Sequence, residues 1–156
     1  MRFPFLMMTN PQIHPCRVRG VQLYEMPCVM DEVRGNLTVG QTPDGLPFVP
    51  QRYFITYGIP EGQTRGQHAH KCCTQFLVCA HGQCHVRVDD GTAQEDIHLD
   101  RPTLGVLVPP LVWAEEDRHS PDSALLVLAS QPYEPDDYIR DYDEFLTMIR
   151  RTTTRP

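Results

Sequence analysis

The chain lacks any apolar run long enough to span a bilayer, so a membrane-crossing helix is excluded. It is short of cations: 14 Lys and Arg stand against 20 Asp and Glu, a formal net charge of −6. Such a balance repels phosphate backbones and argues against nucleic acid as a partner. No two of its six cysteines, at 16, 28, 72, 73, 79 and 84, are spaced as C-x-x-C, which removes the zinc-ribbon and thioredoxin motifs. Neither an internal repeat nor a low-complexity linker interrupts the sequence. The opening Met1–Met8 is apolar but short and is not followed by a small-residue cleavage site, so the expectation is a cytoplasmic protein with free thiols. Cys79 and Cys84 read as core fillers.

What is present points to β-structure. The 156 residues suit one domain, 40% of them are apolar, and 15 prolines and 10 glycines cut the chain into short segments. Strand patterns fall at 18–24, 37–39, 52–59, 75–80, 83–89, 95–99, 104–108 and 124–129, with an extended segment from His68. Strands this short and closely spaced predict an all-β barrel or sandwich. Between Asp136 and Ile149 the spacing changes. Tyr138, Ile139, Tyr142, Phe145, Leu146 and Ile149 recur at helical intervals and predict a C-terminal amphipathic helix, frayed from Arg150 onward. The acidic runs Glu115–Asp117 and Asp136, Asp137, Asp141, Asp143 read as solvated faces. One domain over 1–156, with its core over about 18–149, is the expectation.

The informative stretch is Gly62–Gly82, G-Q-T-R-G-Q-H-A-H-K-C-C-T-Q-F-L-V-C-A-H-G. Residues two apart on a strand share a face, so His68 and His70 project together. The spacing of Gly62, His68, His70 and Gly82 resembles the first motif of the cupin superfamily, a jelly-roll β-barrel. In metal-binding cupins a glutamate and a later histidine complete the ligand set. In this chain Gln75 stands at the glutamate position, and Trp113, in G-V-L-V-P-P-L-V-W-A-E, stands near that of the later histidine. A neutral amide and an indole are poor replacements for a carboxylate and an imidazole, so no tightly bound metal is expected. Freed imidazoles, with an ordinary pKa near 6.5, suit general acid–base work. Histidines 14, 81, 85, 98 and 119 lack such a context. Trp113 suits stacking on a base or sugar ring.

Further runs narrow the resemblance. D-E-V-R-G-N-L at 31–37, L-P-F-V-P-Q-R-Y-F at 46–54, R-G-Q-H-A-H-K at 65–71, D-D-G at 89–91, V-P-P-L-V-W at 108–113 and D-Y-I-R at 137–140 are, in this order, similar to the dTDP-sugar 3,4-ketoisomerase (WxcM-like) family. The resemblance covers about residues 18–149. It implies a dTDP-linked 4-keto-6-deoxyhexose as substrate and its 3-keto isomer as product. It also implies no cofactor, and a homodimer with swapped N-terminal strands. In such a reaction a base removes the acidic hydrogen beside the ketone, and the enediolate is reprotonated at the neighbouring carbon. His68 and His70 are the candidates for base and relay, and Tyr57 or Tyr53 for a helper in the shuttle. Arg52 or Arg65 would offset the developing charge, with Gln75 donating a hydrogen bond and Arg34 as a further cation for the diphosphate. The competing readings are 3,5-epimerisation in a related barrel, a metal-dependent oxygenase and a non-catalytic sugar-nucleotide-binding module.

Overall fold

The computed structural model describes residues 10–153. Between its prolines and glycines the chain forms β1 (Gln12–Pro15), β2 (Gln22–Glu25), β3 (Cys28–Val29), β4 (Leu37–Thr38), β5 (Arg52–Tyr57), β6 (Arg65–His70), β7 (Gln75–His81), β8 (Cys84–Asp89), β9 (Gln94–Leu99), β10 (Leu104–Val108), β11 (Trp113–Asp117), β12 (Ala124–Ala129) and β13 (Tyr138–Ile139), then helix α1 (Tyr142–Thr153). The strands build a six-stranded sheet, β1-β2-β10-β7-β12-β5, facing a five-stranded one, β13-β6-β11-β8-β9, beside a β3-β4 ribbon. This is the all-β jelly-roll sandwich with a C-terminal helix that the sequence implies.

Period-2 alternation assigns the faces. On β12, Leu125 and Val127 turn inward and meet Leu77, Cys79, Val106 and Val108 from their own sheet and Val86, Val88 and Leu99 from the other. Each such side chain contributes roughly 1.5–3 kcal/mol on burial. Register carries the alternation across the sheet. Ala129 lies opposite both Arg52 and Gln75, so these two polar side chains share the inner face at one end of the barrel. No helix among the described residues is long and apolar enough to cross a membrane.

Four expectations change. The helix begins at Tyr142, because the Asp141 carboxylate accepts the Glu144 N–H at 2.8 Å and caps it there. Tyr138 and Ile139 leave the helix pattern and pair instead with His70 and Ala69. At its far end α1 continues through Thr153, with Arg150 and Arg151 in its last turn, where cations favour the helix dipole. Lastly, Glu115–Asp117 is no solvated run: it belongs to β11, a central strand, and Glu116 turns into the barrel with 8% exposure.

Candidate active site

The site is set by an irregularity in β6. The register with β11 shifts between Ala114 and Glu115. Gly66 and Gln67 take left-handed backbone, φ 76° and 55°. At Gly66 a Cβ would lie 2.8 Å from the Ala114 carbonyl oxygen and 3.0 Å from Glu116 Oε2, so only glycine fits. Past this bulge regular alternation returns. Ala69 packs outward with Trp113, Ile139 and Phe145, while His68 and His70 face inward.

Their hydrogen bonds define the chemistry. His68 Nδ1–H donates to the Gly66 carbonyl at 3.0 Å. His70 Nδ1–H donates to Asp137 Oδ2 at 2.7 Å. A carbonyl oxygen and an ionised carboxylate only accept, which assigns the ring proton to Nδ1 in both histidines. The two Nε2 atoms then face each other at 3.2 Å with lone pairs exposed. One proton between them satisfies both, so the pair is built to take up a single proton. Asp137 is held in turn by the Cys72 N–H at 2.7 Å and the Cys73 N–H at 3.3 Å. Burial opposes its ionisation, but the bonds from His70 and the backbone keep its carboxyl below the usual range. Burial pushes His68 down to about 4 against its bond to Gly66, with the charges of His70, Arg140 and Arg52 adding to the effect. Burial lowers His70 as well, with Asp137 opposing and Arg52 and Arg140 assisting. Both imidazoles are therefore neutral at pH 7, each with a lone pair on Nε2.

Aromatic and cationic groups ring the pair. The Tyr138 ring centroid lies 4.9 Å from that of His68 and 4.5 Å from that of His70. The Arg140 guanidinium sits 4.3 Å from the centre of the Tyr138 ring, and that of Arg52 sits 5.5 Å from the centre of Tyr133. Arg52 Nε and Gln75 Nε2 are buried donors that find no acceptor among the described residues. Orphaned buried donors are costly, and an incoming oxygen would relieve them.

The structure brings together His68, His70, Arg52 and Gln75. The other sequence candidates lie elsewhere in the chain. Tyr53 and Tyr57 alternate with Arg52 and so point out of the barrel, 69% and 75% exposed. Arg65 lies before the bulge, across from Glu116, and its charge acts on Glu116 and His119. Arg34 is bound to Asp31 at 2.6 Å within an exposed turn. Trp113 corrects a sequence expectation. It occupies the outer face of the sheet, with rings 5.2 Å from Tyr142 and 5.6 Å from Phe145, and cannot stack on anything held by the histidines. Asp137, Tyr138 and Arg140 belong to a run, D-Y-I-R, that carries part of the family resemblance, but it gives them no site role because it reads as the start of a helix.

A cupin frame implies a metal, and the donor set tests this. Gln75 supplies only a neutral amide, and the Trp113 N–H donates to Glu115 at 3.0 Å on the far face. Two imidazoles without their companions do not fit a divalent ion between the facing Nε2 atoms. A cavity of about 510 Å³ is also misplaced for the histidines. It opens on the outer face among Arg17, Arg87, Asp89, Gln94, Trp113 and Tyr142.

Fold and chamber together define a cupin-type barrel with an H-x-H pair inside it and no full metal ligand set. Residues 19–150 match the family described as FdtA: WxcM-like, C-terminal. The chain is 40% identical over 118 residues, 76% of its length and 85% of the relative's, to TDP-4-oxo-6-deoxy-alpha-D-glucose-3,4-oxoisomerase of Aneurinibacillus thermoaerophilus. A 3,4-ketoisomerase from Helicobacter canadensis superposes with a TM-score of 0.80 at 34% identity, covering 84% of this chain and 98% of that one. A histidine-to-asparagine variant of the 3,4-ketoisomerase QdtA from Thermoanaerobacterium thermosaccharolyticum, in complex with TDP-4-keto-6-deoxyglucose, superposes with a TM-score of 0.83 at 30% identity, covering 88% and 99%. The chain belongs to this FdtA, WxcM-like family of isomerases.

Proposed function

We propose that the chamber moves the keto group of a TDP-linked 4-keto-6-deoxyhexose from C4 to C3, with His68 and His70 transferring the carbon-bound proton. The observation that carries this reading is the pair of Nε2 atoms facing at 3.2 Å with both Nδ1 positions already engaged as donors. One Nε2 takes the proton from C3, and the other accepts a hydrogen bond from it. The positive charge settles on His70, where Asp137 stabilises it. As the enediolate forms, Arg52 and Gln75 direct their free donors at the oxygen that gains charge. The pair then returns a proton to C4, and the O3 proton passes to O4, leaving a ketone at C3 and a hydroxyl at C4. Tyr138, whose ring lies tilted against both imidazoles, is better sited than the outward Tyr57 to carry the hydroxyl proton within one chain.

Two further readings accompany it. The enzyme works as a homodimer with swapped N-terminal strands, which the exposed β1 and the exposed Tyr53, Ile55 and Tyr57 of β5 favour. Sedimentation equilibrium tests this, with a monomer at micromolar concentration counting against it. Six unpaired cysteines favour a reducing, cytoplasmic setting. The decisive assay is incubation with dTDP-4-keto-6-deoxyglucose in D₂O, read by NMR. The expected product carries its ketone at C3 and deuterium at C4. A product still ketonic at C4 with C5 inverted would instead identify an epimerase.

A further inference from the structure

We propose that His70, Cys73 and Asp137 form a site for a zinc-type divalent ion, and that filling it switches the imidazole pair off. The site lies behind His70, on the side of the ring away from His68, and so differs from the position a cupin metal would take. His70 ends β6, Cys73 stands three residues on in the connection to β7, and Asp137 arrives from the 3-10 turn at Pro135–Asp137. A nitrogen, a sulfur and a carboxylate oxygen from these residues lie within 4.8 Å of one another. Tetrahedral zinc holds such donors at about 2.0–2.3 Å, which spaces them roughly 3.3–3.8 Å apart, so the His70–Asp137 pair, now at 2.7 Å, opens to admit the ion, the thiol closes in by a contraction of about 1 Å, and solvent takes the fourth position.

The local bonds permit that contraction. The Cys73 thiol is 2% exposed and has only weak partners, donating to the Thr74 carbonyl at 3.5 Å and facing the Ser130 hydroxyl at 3.8 Å. Asp137 would keep the Cys72 N–H on its other oxygen as the orienting bond behind the ligand. The backbone N–H of Cys73, which also serves Asp137, does not depend on the thiol. A soft thiolate beside imidazole and carboxylate suits zinc or cobalt better than magnesium or calcium.

The consequence follows from proton positions. To ligate through Nδ1, His70 must shift that proton to Nε2, while the Cys73 thiol releases its proton to solvent and Asp137 exchanges a hydrogen bond for a metal–oxygen bond. His70 Nε2–H then donates to His68 and has no lone pair left to receive a substrate proton. Turnover stops although the substrate chamber stays open. This switching rests on the isomerase reading, whereas the binding itself does not.

The test uses full-length, metal-stripped protein titrated with Co²⁺. One equivalent should bind with the visible absorption of a tetrahedral site and a near-ultraviolet thiolate-to-cobalt band, and Zn²⁺ should displace it. Cys73→Ala and Cys73→Ser should lose the thiolate band and bind about tenfold more weakly or worse, with metal-free turnover unchanged. Zn²⁺ should depress kcat of the wild type, leave KM in place and spare both variants. Absence of the thiolate band, or cobalt affinity unchanged in both variants, overturns the site. A thiolate-bound ion that leaves kcat intact overturns the switch. A bound ion in a protein with no isomerase turnover, metal-free or loaded, refutes the functional reading and leaves the site standing.

Discussion

Both faces of the five-stranded sheet carry polar groups beside their apolar ones, yet they differ in whether those groups are already satisfied. On the outer face, Asp89 accepts from Tyr142 and from Gln94 at 2.8 Å, Arg87 pairs with Asp117 at 2.8 Å, and the Trp113 N–H is taken by Glu115. Across the barrel interior, two imidazole lone pairs confront each other, while on the facing sheet Arg52 Nε and Gln75 Nε2 have no hydrogen-bond partner among the described residues. The cavity of about 510 Å³ lies on the satisfied face. Unspent hydrogen-bonding capacity, rather than volume, is therefore the ground for placing the proposed chemistry at the inner face, because each unmet buried group is a standing free-energy cost that a ligand removes.

The comparison is broken most directly at the inner face. His70→Asn should lower kcat by roughly 10²- to 10⁴-fold while leaving TDP affinity, measured by calorimetry, within a few-fold. Retained turnover would remove the imidazole pair from the mechanism. Asp137→Asn should cost on the order of 10²-fold, because the amide can select the wrong His70 tautomer and no longer offsets its positive charge. A normal kcat would show that the Asp137 bond is only structural.

Glu116, also turned inward, sharpens the contrast through stability. Burial pushes its carboxyl up to about 7, with Arg65 opposing and Glu115 assisting. The native protein thus keeps a proton that the unfolded chain loses above its ordinary 4.5. Stability falls as pH rises through that window, by about 3 kcal/mol once above 7. Glu116→Gln should raise the melting temperature by roughly 5 to 10 °C at pH 8 and leave it unchanged at pH 5. An equal shift at both values would refute the buried, protonated carboxyl.

Smaller effects complete the series. Burial depresses both histidines, so the acid limb of kcat/KM should lie below 6.5, and turnover should persist at pH 5.5 to 6 where an exposed histidine base is already largely protonated. A limb at or above 6.5 would mean that the imidazoles are solvated. On the outer face, Trp113→Phe should change kcat/KM by less than about threefold, since the indole meets α1 rather than the chamber. A large loss confined to KM would relocate the substrate's base to the outer cavity.

Much of the site was legible one strand at a time. H-x-H places two imidazoles on one face by backbone geometry alone, and the loss of carboxylate and imidazole at Gln75 and Trp113 argues against a metal from residue type. Alternation along R-Y-F-I-T-Y also implies that Arg52 and Tyr53 cannot face the same way, a choice that needs the second sheet to resolve. The run D-Y-I-R carried no local sign of its role, since Tyr138 and Ile139 fit the helical stripe of α1 as well as they fit a strand. The cap at Asp141 ends that ambiguity only once the helix has a neighbour to pack on.

Sequence by itself therefore determined the short-strand architecture, the pairing of His68 with His70 and the poverty of the metal ligand set, all of which follow from periods and side-chain chemistry within a few residues. Tertiary structure alone decided that Asp137 reaches back 67 residues to orient His70, that Glu116 is buried and that Trp113 faces away. Those outcomes depend on which strands become neighbours and where β6 bulges, and sheet register is a property of two chain segments that neither encodes on its own.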